Sequence, residues 1–147
     1  MSKQLDELLK LDNQLCFPLY AASKEIIRRY KPLLDKLDIT YTQYIVLLVL
    51  WEKDQILVKD LGSRLYLDSG TLTPLLKKLE SKKIISLSRG TKDGRELVIS
   101  LTKKGIELKK QAYQIPQTIG GCVKLEKDEA ITLYKLLYKV LSGLENE

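Results

Sequence analysis

Residues 58–80 read VKDLGSRLYLDSGTLTPLLKKLE, and the way this stretch divides decides the fold. Leu61 and Leu65 place an apolar stripe on a short helix over Val58–Leu65. Leu72, Leu75, Leu76 and Leu79 do the same on a second helix, over about Asp68–Lys82. The two stripes can pack together across the turn Tyr66–Leu67, which makes a helix-turn-helix. Asp68 or Ser69 is the expected N-cap, because a short side-chain oxygen there accepts from an otherwise unpaired backbone N–H. Pro74 is tolerable only because it falls early in the helix. The outward positions are Ser69, Thr71 and Thr73 near the helix start, then Lys77 and Lys78. Small hydroxyl side chains fit against base edges and phosphates, and a helix N-terminus itself favours phosphate. Lysines add sequence-independent attraction to a nucleic-acid backbone.

The flanking sequence extends this pattern. Ile84–Arg89 and Arg95–Leu101 are short β-branched stretches on either side of Thr91-Lys92-Asp93-Gly94, and Asp-Gly is a hairpin signal. Arg89, Lys92 and Arg95 cluster around that turn, where an arginine can enter a minor groove. Taken singly these charges read equally well as solvated loop residues; following a helix-turn-helix, they read as a wing. Upstream, Thr40 or Thr42 can cap an apolar helix over Tyr44–Trp51. The segment from Leu5 to Leu37 has broadly helical leucine spacing, with a break or kink expected near Phe17–Pro18 and a stronger helix from there to about Tyr30. Downstream, Thr102 starts a long helix interrupted near Pro116, Gly120–Gly121 marks a second interruption, and Leu125–Leu144 closes the chain as a helix. The fold class is mainly α with a small β-hairpin wing, a winged helix-turn-helix in a single domain over 1–147.

Composition narrows the function. The chain has 147 residues, 44% of them hydrophobic, with a formal charge of +6 and a pI near 9.2. Between Thr40 and Gly105 there are twelve Lys/Arg against seven Asp/Glu, a net of +5, so the basic excess falls on the stretch that would face phosphate. Histidine is absent, which removes Ser-His and Cys-His nucleophile pairs and most zinc sites. No cofactor and no metal are expected. No apolar run approaches the roughly 20 residues of a membrane span, and the N-terminus lacks the apolar stretch of a signal peptide. A cytoplasmic location with no membrane partner is the default. The two cysteines, Cys16 and Cys122, form no CxxC pair. A permanent disulfide is unusual in the cytoplasm, so any thiol function would be conditional. On residues alone, Cys16 reads first as a small buried hydrophobe and Cys122 as a spare loop thiol.

Four segments together resemble the MarR family of winged-helix repressors, and within it the organic-hydroperoxide sensors of the OhrR type. They are LDNQLCFPLY (11–20), YKPLLDKLDITY (30–41), YLDSGTLTPLL (66–76) and Asp93-Gly94-Arg95. The resemblance covers nearly the whole chain. It implies a homodimer built from the N- and C-terminal helices, about 1–39 and 106–147. It also implies a DNA-binding part over about 40–105 that reads a pseudo-palindromic operator in double-stranded DNA. By the same resemblance Cys16 is the peroxide-reactive thiol, and Tyr30 and Tyr41 donate to its thiolate across the dimer. Tyr20, one turn after Cys16, would line the same pocket. Cys122 corresponds to a second cysteine that captures the sulfenic acid of the partner subunit as a disulfide and so releases the operator. Pro18 departs from the ordinary helix former expected after Phe17 and bears on how Cys16 is presented.

Other readings stay open at this stage. The fold could answer to a small phenolic or anionic ligand in the dimer cleft, or bind DNA with no switch. A thiol peroxidase ranks last, because no arginine adjoins Cys16 and no PxxxTxxC motif is present. The chain therefore reads as a non-enzymatic redox-sensing repressor with hydroperoxide as its signal.

Overall fold

Three capped helices frame the molecule. Along the described residues of the computed structural model, 2–90 and 96–145, the helices are α1 (Ser2–Leu8), α2 (Cys16–Asp35), α3 (Tyr41–Glu52), α4 (Val58–Leu65), α5 (Ser69–Ser81), α6 (Lys103–Ala112), α7 (Gln114–Gly120) and α8 (Lys127–Glu145). A 3-10 turn at Leu11–Asn13 separates α1 from α2, and the strands are β1 (Ile56–Leu57), β2 (Ile85–Arg89) and β3 (Leu97–Leu101). Thr40 caps α3 through a reciprocal box: its Oγ1 accepts from the Gln43 N–H at 3.3 Å, and the Gln43 Oε1 accepts from the Thr40 N–H at 2.9 Å. Asp68 caps α5, with Oδ1 2.8 Å from the Thr71 nitrogen. Thr102 caps α6 by accepting from Gly105 N–H at 3.2 Å.

The core lies between α3, α4, α5 and the sheet. Val46, Leu47, Leu50, Leu61, Leu72, Leu76, Leu79, Ile84, Ile85 and Ile99 are all buried in it. Two glycines permit its close approaches. A Cβ on Gly62 would lie 2.8 Å from the Leu67 carbonyl oxygen, so the corner between α4 and α5 closes only over glycine. At Gly105 the corresponding distance to the Ile84 oxygen is 2.3 Å, and the Gly105 carbonyl accepts from Trp51 Nε1 at 2.9 Å. Tyr66 ends α4 in the left-handed conformation, with φ of 57°.

The hairpin expected from sequence is present as β2 paired antiparallel with β3, Ile85 opposite Leu101 and Arg89 opposite Leu97. A third strand joins it. β1 pairs with the other edge of β3, Ile56 opposite Ile99, giving the order β1-β3-β2. Asp54 secures this edge, its Oδ1 accepting from Leu101 N–H at 2.8 Å. Two residues are too few to show an alternating pattern, so β1 has no signature in the sequence.

The break expected near Phe17–Pro18 is present, though not at the proline itself. Helix α2 starts at Cys16, so Pro18 is its third residue, where a missing N–H costs no hydrogen bond. The chain breaks before Cys16 instead, and α2 continues past Tyr30 through Pro32 to Asp35. At the other end Pro116 cannot give an N–H to the Ala112 carbonyl, and the helix divides there into α6 and α7. No residue of α1 or α8 is buried. Leu5, Leu8, Leu9, Leu11 and Leu15 near the start, and Ile131, Leu133, Leu136 and Val140 near the end, stand exposed.

Candidate DNA-reading surface and thiol site

Helix α5 buries Leu72, Leu75, Leu76 and Leu79 and turns the rest of its surface outward. Ser69, Thr71, Thr73, Lys77 and Lys78 are all exposed, and neither lysine makes an ion pair among the described residues. The helix is held from behind at its far end, where Glu80 Oε2 accepts from Leu87 N–H at 3.1 Å. Its first turn thus presents hydroxyl groups at the positive end of the helix dipole, and its later turns present cations. This is a surface complementary to a polyanion. Arg89 is exposed at the end of β2. Lys92 and Arg95 fall in residues 91–95, outside the described residues.

The two thiols lie beside different parts of α2. Cys16 opens α2 and is exposed, contrary to the buried hydrophobe that its apolar neighbourhood suggests. Tyr20, one turn on, is also exposed. Cys122 follows α7, is exposed, and donates to the Thr118 carbonyl with sulfur and oxygen 3.6 Å apart. It lines a cavity of about 200 Å³ with Glu25, Ile26 and Arg29 of α2 and with Ile119 and Val123. Ile26 lies ten residues along α2 from Cys16, about 15 Å at helical rise. A disulfide needs Cα atoms within about 7 Å. The two sulfurs of one chain are not in bonding range.

Tyr30 and Tyr41 do come together. Their rings meet edge-on with centroids 4.9 Å apart, joining α2 to the start of α3. Tyr44 completes a triangle, 5.8 Å from Tyr30 and 6.3 Å from Tyr41. Burial, then the adjoining phenols of Tyr41 and Tyr44, pushes Tyr30 up to about 12. Burial raises Tyr41 as well, and burial with Tyr41 alongside raises Tyr44. All three therefore stay neutral at physiological pH and keep an O–H to donate.

A family model described as transcriptional regulator SarA/Rot matches residues 28–112, from the tyrosine-bearing half of α2 through the end of α6. The chain belongs to the SarA/Rot family of transcriptional regulators. It is 48% identical over 147 residues to the organic hydroperoxide resistance transcriptional regulator of Bacillus subtilis (strain 168), covering 100% of this chain and 99% of that protein. Among solved structures it is similar to AbfR of Staphylococcus epidermidis. Reduced AbfR bound to DNA matches with a TM-score of 0.79 and 35% identity, over 97% of this chain and 99% of that one. The disulfide form of AbfR matches with a TM-score of 0.64 and 34% identity over 100% of both chains. Wild-type MarR from E. coli, in its apo form, matches with a TM-score of 0.68 and 27% identity, over 87% of this chain and 97% of that one. The winged-helix fold of MarR-type regulators expected from the sequence is the fold of this chain.

Within this SarA/Rot-family regulator the reading helix and the tyrosine pair are assembled inside one chain. The thiols are not brought to them. Cys16 lies fourteen residues along α2 from Tyr30, about 21 Å away. Tyr44 was missed by sequence reasoning, because an aromatic residue in the apolar run TQYIVLLVLW (42–51) reads as core. Its spacing of three from Tyr41, which puts both rings on one helical face, was the available signal. Among the described residues no group of His, Cys, Asp and Glu is arranged to hold a metal. No helix there is long and apolar enough to cross a membrane.

Proposed function

We propose that the protein is a redox-sensing DNA-binding repressor that works as a homodimer in the cytoplasm. Residues 40–105 read a pseudo-palindromic operator, and 1–39 with 106–147 form the dimer. One observation carries the switch: Cys16 opens α2, whereas its candidate helpers gather beside the second half of that helix, Cys122 against Ile26 and Arg29 and Tyr41 against Tyr30. A second α2 running antiparallel reverses that order. Pairing Cys16 with Tyr30 of the partner subunit sets residues 17–20 opposite the partner's Ile26 and Arg29, the residues beside which Cys122 of the partner subunit sits. One arrangement thus brings donors and resolving thiol to Cys16 together. It also covers the apolar side chains left exposed on α2, Phe17, Leu19, Ile26 and Ile27.

The chemistry follows from the pairing. The Cys16 thiolate, stabilised by neutral phenol donors from Tyr30 and Tyr41 and flanked by Tyr20, attacks the outer oxygen of an organic hydroperoxide. An S–O bond forms, the O–O bond breaks, and the alkoxide leaves as the alcohol after taking a proton. Cys16 is then a sulfenic acid. The sulfur of Cys122 of the partner subunit attacks it, the S–S bond forms, and hydroxide leaves as water with the proton from that thiol. One hydroperoxide is consumed per disulfide, and the cycle stops there unless a reductant reopens the bond, so on this reading the chain is a receiver of a signal and not an enzyme. The disulfide displaces the two reading heads, whose Ser69, Thr71 and Thr73 meet bases and phosphates while Lys77, Lys78, Arg89, Lys92 and Arg95 hold the backbone and minor groove.

A gel shift on a palindromic operator with reduced and hydroperoxide-treated protein, beside a non-reducing denaturing gel, tests this reading. Loss of binding together with a covalent dimer is the expected result, and Cys122→Ser is expected to bind DNA normally but give no covalent dimer. Binding that ignores the oxidant overturns it. A second reading, release by a small aromatic ligand, is favoured by a cavity of about 270 Å³ between α3 and the α6–α7 junction, walled by Tyr44, Trp51 and Tyr113. Cys16→Ser separates the two, since a ligand response survives it and an oxidant response does not.

A further inference from the structure

We propose that Tyr44 is a positioning residue of the peroxide-sensing site, holding the Tyr30 and Tyr41 rings in the orientation from which their hydroxyls serve the thiolate. This rests on the sensing role given above to Tyr30 and Tyr41. Tyr44 is 3% exposed and touches both rings, at 46° to Tyr30 and 50° to Tyr41. Three rings in mutual contact have no free rotation: turning one requires displacing the other two. The triangle also joins two elements. Tyr30 comes from α2, while Tyr41 and Tyr44 lie one turn apart on α3, whose start is pinned by the Thr40–Gln43 capping box. Tyr30 leans on a fixed helix end, and Tyr44 is the member of the set furthest inside.

The geometry also has an electrical consequence. Packed phenols shield one another from water and disfavour a phenolate among them, so each remains an O–H donor. Removing the Tyr44 ring opens a cavity beneath the other two, lets water in and frees their torsions. Donors that wander stabilise a thiolate less, and Cys16 then reacts more slowly at neutral pH.

The test measures the rate of Cys16 oxidation by cumene hydroperoxide against pH in the full dimer, for wild type, Tyr44→Leu, Tyr44→Phe and Tyr30→Phe. Operator binding of the reduced protein reports folding. Tyr44→Leu is expected to bind operator as wild type does, to react about tenfold more slowly at neutral pH, and to shift the rate profile to higher pH. Tyr44→Phe, which keeps the ring, is expected to restore both. Should Tyr44→Leu fail to fold, Tyr44→Met, longer and more adaptable but without a ring plane, takes its place. A folded ring-deleted variant with an unchanged pH profile overturns the proposal when Tyr30→Phe is slowed. If Tyr30→Phe is also unchanged, the sensing role of the tyrosines itself fails. Slowing by Tyr44→Phe equal to that by Tyr44→Leu overturns positioning by the ring in favour of the hydroxyl.

Discussion

Lys82, the residue that ends α5, donates from Nζ to the backbone carbonyl of Asp38, and the Asp38 carboxylate lies 3.7 Å from the same nitrogen. Asp38 is held at a φ of 57° in the corner between α2 and α3, three residues before Tyr41. The far end of the reading helix is thereby tied to the corner that presents the tyrosines. Lys82→Met is expected to leave the rate of Cys16 oxidation unchanged and to narrow the ratio of operator affinities between reduced and oxidised protein by about fivefold. Operator titrations of both forms check this; an unaltered ratio takes the tie out of the coupling.

The tyrosines set an upper pH limit. A Tyr30 phenol raised to about 12 in the folded protein, against an ordinary 10.0, contributes stability that is complete below pH 10 and lost as pH rises through about 12. Sensing that depends on its O–H therefore shows no alkaline decline below about pH 11. Difference absorbance of phenolate should find Tyr30 ionising last, and Tyr30→Phe should remove that late step. An early step assigned to Tyr30 contradicts the packing described.

Asp68 sets the acid side. Its carboxyl is held below the usual carboxylate range, first by the backbone N–H of Thr71. That contribution is present above the unfolded pKa and lost as pH falls through the lower folded one. Asp68→Asn caps without titrating, so it should match wild type at neutral pH and surpass it only in acid. Asp68→Ala should weaken operator binding several-fold at neutral pH. Melting curves across the acid range, with operator titrations, decide it.

Much of this was legible in the chain because its signals are local. A cap such as Thr40, Asp68 or Thr102 needs only its own turn of helix, and the leucine spacing of α5 and the β-branched stretches on either side of residues 91–94 are equally short-range. Three features were not legible, each for a reason beyond its neighbourhood. β1 exists because Asp54 reaches Leu101, forty-seven residues away. Pro18 looked like a breaker because its place in a helix depends on where that helix starts. Cys16 is exposed because, among the described residues, no other element of its chain buries the start of α2. The family and fold were readable, whereas the triangle around Tyr44 required coordinates.

Gly105 offers a test of the core. A methyl group there would stand 2.3 Å from the Ile84 oxygen, with backbone on both sides of the contact. Gly105→Ala should cost about 1–3 kcal/mol in urea unfolding. It should also alter the fluorescence of Trp51, the one tryptophan of the chain, whose indole bonds to the Gly105 carbonyl. A neutral result would mean that β2 and α6 separate more easily than their contact implies.

Mixing two defective chains makes a separate prediction. Neither Cys16→Ser nor Cys122→Ser alone can form the disulfide across the dimer. A heterodimer of the two retains one intact pair, Cys16 from one chain and Cys122 from the other. Co-expression should restore a covalent dimer on oxidation, at one disulfide per heterodimer, and quantification on a non-reducing gel checks it. Failure of the mixture, with each chain folded, would place the two thiols on a different path.

Helix α2 runs twenty residues, about 30 Å, with Cys16 at its start and Tyr30 about 21 Å along it. A rod of that length makes a single copy of the chain complete in parts and incomplete in operation. Dilution below the dimer's dissociation constant would abolish operator occupancy and oxidant sensitivity in the same step. The amount of protein in the cell thus becomes a second input beside the oxidant, and a gene expressed too weakly would be indistinguishable from one whose thiols had been removed.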